Sequence, residues 1–342
     1  MTGARVVVRR MTAQDLPAVL ELMEECLAGG PTGARSPALF QWKHEQNPFG
    51  SSSVFVAEAD GMIVGLRCLM RWEFGLRGTT VHAARAVDTA TRSAYRGQGI
   101  FRELTKLALE DVGDRATFVF NTPNANSLPA NLRLGWEPVA NIPVHVAPVR
   151  LLRFLRGLRS VNEPTTSFGD DSAACSLPAA AEVLDHVPDL DALLADIAVA
   201  DQASGALHTR RTNGYLRWRY VQPPGLDYRA IALHDGGQLR GLAIGRLRRR
   251  GSLRELTLSE LMVRPGDTTG ARRLLGRARR SGVDHVATHF PAGSPGRRMA
   301  AMSGFVRAPM GMTMVTRILG DSPVDPRRPG NWRLSIGDLE VF

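Results

Sequence analysis

Aromatic and glycine landmarks recur in the two halves of this chain, in the same order. Phe40-Gln41-Trp42-Lys43-His44 is answered by Leu216-Arg217-Trp218-Arg219-Tyr220, 176 residues later. Pro48 is answered by Pro224, and Gly61-Met62-Ile63-Val64-Gly65-Leu66 by Gly237-Gln238-Leu239-Arg240-Gly241-Leu242, at the same spacing. Gly99 and Gly270 follow at 171, then Gly135-Trp136 and Gly304-Phe305 at 169. The spacing drifts only by short loop changes. Such an ordered series indicates a tandem duplication, which restricts the chain to two copies of one fold. A length of 342 residues also favours two domains. Trp42 and Trp218, at the best-matched positions, read as core anchors.

Within the first copy, Val6–Arg9 reads as a strand, and Thr12 caps a helix carrying Leu16, Val19, Leu20, Met23 and Leu27. Ser36 begins a second helix, Pro37–Gln46. Val54–Ala59 and Met62–Phe74 are strands joined at Asp60-Gly61, a hairpin signal. Val81–Thr91 is a strand, Ile100–Asp111 an amphipathic helix, Ala116–Asn121 a short strand, Asn124–Leu134 a helix and Trp136–Pro148 a last strand. The fold class is α/β: two domains, each a mixed sheet flanked by helices. Leu151–Leu158 is a basic, apolar helix or crossover, and Asn162–Ala180 has a linker's composition. The expected division is 1–150, a linker and crossover over 151–189, and 190–342.

Where the first copy's third long strand gives way to its helix stands Arg96-Gly97-Gln98-Gly99-Ile100-Phe101. A helix start carries backbone N–H groups without intrahelical partners and a partial positive charge, so it suits an anion. Gly97 and Gly99 let the backbone curl around a ligand. Arg96 adds a forked cation suited to phosphate. The formal charge of +10 also suits a polyanionic ligand, whether nucleic acid, an acidic surface or a phosphorylated cofactor. Nearly all the cations are arginine; only Lys43 and Lys106 are lysines.

Several classes drop out. Met1–Arg10 lacks a signal peptide's apolar core, and no run approaches membrane-spanning length. Cys26, Cys68 and Cys175 are widely spaced, with no C-x-x-C, which argues against a disulfide framework or zinc and fits a reducing cytoplasm. No G-x-S-x-G, H-E-x-x-H or Walker loop is present, and no metal is expected.

Three features in order resemble the GNAT superfamily of CoA-dependent N-acyltransferases, in a tandem two-domain form. Arg96–Ile100 is similar to the family's pyrophosphate loop, Val87–Thr91 stands in the place of its cofactor-pairing strand, and Asn124 with Leu134-Gly135-Trp136 resembles its N…L-G-F segment. In the first half the resemblance covers roughly Val6–Pro148. It implies acetyl-CoA or another acyl-CoA in a gap between two splayed parallel strands. Thr89, Ala90 and Thr91 would pair with pantetheine, and an N–H there would polarise the thioester carbonyl. Arg96, Gly97, Gln98, Gly99, Ile100 and Phe101 would hold the pyrophosphate, and Asn124 would approach the pantetheine. Two residues depart from the pattern: Phe101 stands where the family usually has Gly or Ala, and Asn131 where many members have a thiolate-protonating Tyr. In the second half, Asp267, Thr269 and Gly270-Ala271 replace the glycine-rich turn, although Arg272 and Arg273 partly restore charge.

The implied reaction is acyl transfer to a primary amine by direct attack in a ternary complex. An amine of pKa ~10.4 costs about 4–5 kcal/mol to deprotonate at neutral pH, so a base is needed. Asp88 is the acid nearest the expected thioester and the candidate catalytic base; Glu260 holds the matching place in the second half, and His82 and His44 are further candidates. A non-catalytic acyl-CoA sensor or scaffold is the alternative, motivated by Asn131 and the eroded second loop. Nucleic-acid binding is the third reading, on the basic runs Arg246–Arg250 and Ala271–Arg280; a solvated basic face is the simpler account of both. The expected acceptor is a small molecule or peptide, with no membrane partner, and the expected state is a monomeric pseudo-dimer or a homodimer.

Overall fold

The computed structural model describes residues 5–27, 35–160 and 175–339. The first half runs β1 (Val6–Arg10), α1 (Leu16–Leu27), α2 (Pro37–His44), β2 (Ser53–Ala59), β3 (Met62–Leu76), β4 (Thr79–Thr91), α3 (Ile100–Val112), β5 (Phe118–Asn121), α4 (Leu128–Arg133) and β6 (Glu137–Pro148). After α5 (Leu151–Gly157), α6 (Ala180–His186) and α7 (Leu190–Ala203), the pattern returns as β7 (His208–Thr209), α8 (Asn213–Tyr220), β8 (Tyr228–Asp235), β9 (Gln238–Arg250), β10 (Leu253–Val263), α9 (Thr268–Arg279), β11 (His285–Thr288), α10 (Pro295–Met299), β12 (Val306–Ile318) and α11 (Ile336–Leu339). Most of the expected linker, including Asp170-Asp171, lies outside the described residues, and its end folds into α6. The helix expected from Asn124 starts only at Leu128, because Asn124 builds a turn ahead of it.

The twelve strands of the described residues join one sheet, ordered β1-β2-β3-β4-β5-β12-β6-β11-β10-β9-β8, with β7 on β3. The two halves exchange their last strands. β12 pairs antiparallel with β5 of the first half, and β6 pairs antiparallel with β11 of the second. The two exchanged strands also pair with each other. The sequence division at 150 therefore does not coincide with a break in the sheet.

The matched tryptophans of the two halves meet in the packing. Trp42 and Trp218 stack with centroids 5.1 Å apart, and their indoles donate reciprocally, Trp42 Nε1 to Trp218 O at 2.7 Å and Trp218 Nε1 to Trp42 O at 3.0 Å. Such mutual bonds mark the axis relating the halves. Around them runs a core shared by both, including Trp72, Phe74, Tyr215 and Leu216. The outer faces have separate cores, beneath α3 (Ile100, Leu104, Ala108) and beneath α9 (Ala271, Leu274, Leu275).

The basic run on β9 is not a solvated face. Arg246 and Arg248 are buried, and Arg248 and Arg250 pair with Glu255 at 2.8 and 2.9 Å. Strand alternation sends part of this run inward, where Glu255 neutralises it.

Candidate active site

Parallel pairing of β4 with β5 covers only Ala83–Arg85 against Phe118–Phe120. Beyond Arg85, β4 continues to Thr91 on β3 alone, while β5 ends at Asn121 beside β12. The strands thus diverge into a wedge. At its root β4 carries a bulge: Arg67 faces Thr89 and Cys68 faces Val87, leaving Asp88 unmatched with φ +38°. An aspartate tolerates this left-handed conformation better than most residues.

The glycine loop lies past the open end of β4. Gly97 and Gly99 have φ of +80° and +83°, and Gly99 is the N-cap of α3 with no side chain capping the helix. The start of α3 borders a groove of about 520 Å³ lined by Thr91, Arg96, Gly97, Gly99, Ile100 and Phe101, with Arg102 and Arg133 among the side chains around it. The volume is that of a ligand site. Arg96 is exposed and its Nε donates to Thr91 O at 3.2 Å. Gln98 is exposed and its amide donates to Ala94 O at 3.2 Å. Thr89 and Ala90 sit further down β4 and do not line the groove.

Asn124 has a local task. Its Oδ1 accepts from the N–H groups of Asn126 and Ser127 and from the Ser127 hydroxyl, at 3.1, 2.9 and 3.0 Å. Only its amide NH₂ is left to meet a ligand. Asn131 is buried on α4, its Nδ2 donating to Ser127 O at 3.0 Å, while its Oδ1 has no partner.

Asp88 is expected as a base, yet the structure places it in a buried ion pair. Its carboxylate lies 2.5 Å from Lys43 Nζ and 3.0 Å from His44 Nε2, and His44 Nδ1 lies 3.0 Å from Ser52 Oγ. Burial alone would raise the Asp88 carboxyl, but the Lys43 ammonium and His44 outweigh it and hold it well below the ordinary range. Burial pushes both Lys43 and His44 down, and Asp88 opposes this only in part. A carboxylate so stabilised is a weak proton acceptor. His82 is exposed near Glu73, at the far end of β4.

Sequence reasoning missed Arg67. It projects from β3 and is 2% exposed; its Nη1 donates to Thr89 Oγ1 at 2.6 Å, and its guanidinium lies over Phe101 at 5.2 Å and Trp136 at 5.6 Å. Its Nε and Nη2 have no partner among the described residues, and burial pulls its pKa down to about 10. At the end of β5, Asn121 Oδ1 is buried and unpartnered too. Each such orphan costs about 1–3 kcal/mol, so groups of this kind beside a wedge suit an amide- or carbonyl-bearing ligand. No sequence signal singled them out, since a strand arginine and asparagine are common.

The second half repeats the wedge and closes its anion site. β10 pairs with β11 only over Glu255–Thr257, then diverges around a cavity of about 90 Å³ that includes Arg211, Glu260, His289 and Ser335. Here the bulge falls at Ser259, so Glu260, the counterpart of Asp88 by count, occupies a regular position. Arg211 and Tyr220 hold Glu260 at 3.0 and 2.8 Å, as Lys43 and His44 hold Asp88. At α9 the Asp267 carboxylate accepts from Gly270 N at 2.8 Å and pairs with Arg240 at 2.9 Å. The helix start that could take a phosphate is occupied by the chain's own anion.

Residues 7–139 match the family model described as an acetyltransferase (GNAT) domain. A comparison with curated proteins returned no match. Among solved structures, a GCN5-related N-acetyltransferase from Anabaena variabilis ATCC 29413 is similar over 92% of this chain and 73% of that one, with TM-score 0.62 and 11% identity. Eis1 from Mycobacterium abscessus is similar over 92% of this chain and 74% of its own, with TM-score 0.54 and 14% identity. N-myristoyltransferase from Saccharomyces cerevisiae, solved with bound myristoyl-CoA, matches 100% of this chain and 86% of its own, with TM-score 0.61 and 11% identity. At such identities the likeness is one of fold. As a whole the chain has a tandem GNAT-like fold, and the family match is confined to its first half.

Proposed function

We propose that the first half binds an acyl-CoA along the β4–β5 wedge and transfers its acyl group to a primary amine. The observation that carries this is the start of α3: Gly99 in the left-handed region, no side chain capping the Ile100 and Phe101 N–H groups, and arginines around the adjoining groove. Pyrophosphate would lie against Gly97–Phe101, with Arg96, Arg102 and Arg133 supplying charge. Pantetheine amides would meet Thr89–Thr91 on one side of the wedge and Asn121 on the other, with Arg67 and the Asn124 amide as further donors. A thioester supplies an activated carbonyl: the amine forms the C–N bond, the C–S bond breaks, and the thiolate leaves and takes up a proton.

Asp88 fits a positioning role better than that of direct base. Its charge fixes Lys43 and His44 beside the bulge, and the amine's proton would pass to water. A longer acyl chain is supported by the myristoyl-CoA found with the yeast neighbour. The non-catalytic reading keeps two supports: Asp88 is spent in an ion pair, and Asn131 stands where many members of the resembled family have a protonating hydroxyl. Calorimetric titration of the full chain with acetyl-CoA and longer acyl-CoAs should give binding that Gly99→Val abolishes; no binding sinks the assignment. Thiol release over a panel of amines then separates the readings, since turnover removes the sensor and its absence removes the transferase.

A further inference from the structure

The basic, apolar stretch after β6 has no part in the wedge. α5 and the turn after it are anchored by few contacts: Phe154 packs on His285 at 5.1 Å, Gly157 lies against Leu253, and Arg150 and Arg153 reach the buried Asp284 at 3.7 and 3.4 Å. With Phe154 and Gly157 set against the body of the protein, the leucines face out. Leu151, Leu152, Leu155 and Leu158 are 58, 72, 53 and 47% exposed, four of the twelve exposed large hydrophobics among the described residues. Scattered exposed leucines are ordinary, but four within eight residues form a patch. Arg156 and Arg159 are interleaved with them, exposed and without a carboxylate partner among the described residues.

We infer that this segment lies on an anionic phospholipid surface, leucines in the acyl boundary and arginines on the headgroups. Leucines alone would suit any apolar partner. Arginines interleaved with them over 151–159 favour one that is apolar beneath and negatively charged above, as a lipid interface is. The net charge of +10 adds long-range attraction of the same sign. No helix of the described residues is long and apolar enough to cross a membrane, so the contact would be peripheral. A peripheral lipid contact of this kind departs from the expected absence of a membrane partner.

The test is flotation of the full chain with vesicles of phosphatidylglycerol and phosphatidylcholine, against phosphatidylcholine alone. Binding is expected only to the anionic vesicles. It should fall at least about tenfold in Leu152→Ser/Leu155→Ser, which keeps every arginine, and comparably in Arg156→Gln/Arg159→Gln. Unchanged melting temperatures would show both variants folded. Failure to bind anionic vesicles overturns the proposal. So does binding that the serine variant leaves intact, which would reflect overall charge alone. A dimer in gel filtration that the serine variant dissociates, without vesicle binding, would assign the patch to a second copy of the chain instead.

Discussion

Asp88 shows how sequence can single out a residue while leaving its surroundings unread. Its place on the strand before the glycine loop was legible; the cation facing it was not, because Lys43 lies 45 positions earlier in the chain. Removing one partner of a buried ion pair leaves the other charged and unsolvated. Asp88→Asn should therefore cost about 3–5 kcal/mol in urea unfolding, and adding Lys43→Met should restore much of it. If Asp88→Asn were neutral for stability yet abolished turnover, the direct-base role would stand. The pH dependence has a definite sign. The folded carboxyl titrates below its ordinary value of 3.8, so the unfolded chain binds the extra proton. Stability from this pair is complete above that value and is lost as pH falls below it. The loss should be shallower in Asp88→Asn. Asn124 was legible too, but its side chain spends its acceptor on the turn before α4, a use that sequence spacing does not reveal.

At the scale of elements, α3 and α9 are the same helix put to opposite uses. Both bury an apolar stripe, and both begin where a strand leaves the sheet. Gly99 leaves one start open, whereas Asp267 seals the other with a hydrogen bond to Gly270 N. Asp267→Ala should lower stability by about 1 kcal/mol, the usual worth of an N-cap, without creating CoA affinity, because Gly97 has no counterpart there and Gly270, which answers Gly99, lies inside α9 rather than at its cap. Gly99→Ala should cost roughly 1–2 kcal/mol, since its φ of +83° is adverse for a residue bearing Cβ. It should also weaken CoA binding, read by titration against the parent chain. The loop, its helix and the loss of the second loop could all be read from the sequence, because glycine, arginine and aspartate act there through short-range backbone chemistry. The bulges at Asp88 and Ser259 could not: they depend on how each strand meets its neighbour.

Over the whole molecule the halves share one sheet, one axis of stacked tryptophans and one large core. Heat or urea should unfold them in a single transition, followed together by tryptophan fluorescence and far-UV circular dichroism; two separated transitions would refute this coupling. The repeat itself was legible because Trp42 and Trp218 fix its register. The exchange of final strands was not, since β6 and β12 carry the same pattern whichever half they enter. That exchange sets an order on the making of the chain. The edge of β5 has no neighbour on its far side until Ile318 has been synthesised, and β6 lacks its two partners until β11 and β12 emerge. A nascent chain carries these open edges through almost the whole second half, when strand edges invite pairing with other chains. A product cut at residue 150 would keep them open permanently, and its failure to stay in solution would follow from geometry rather than from a poor core.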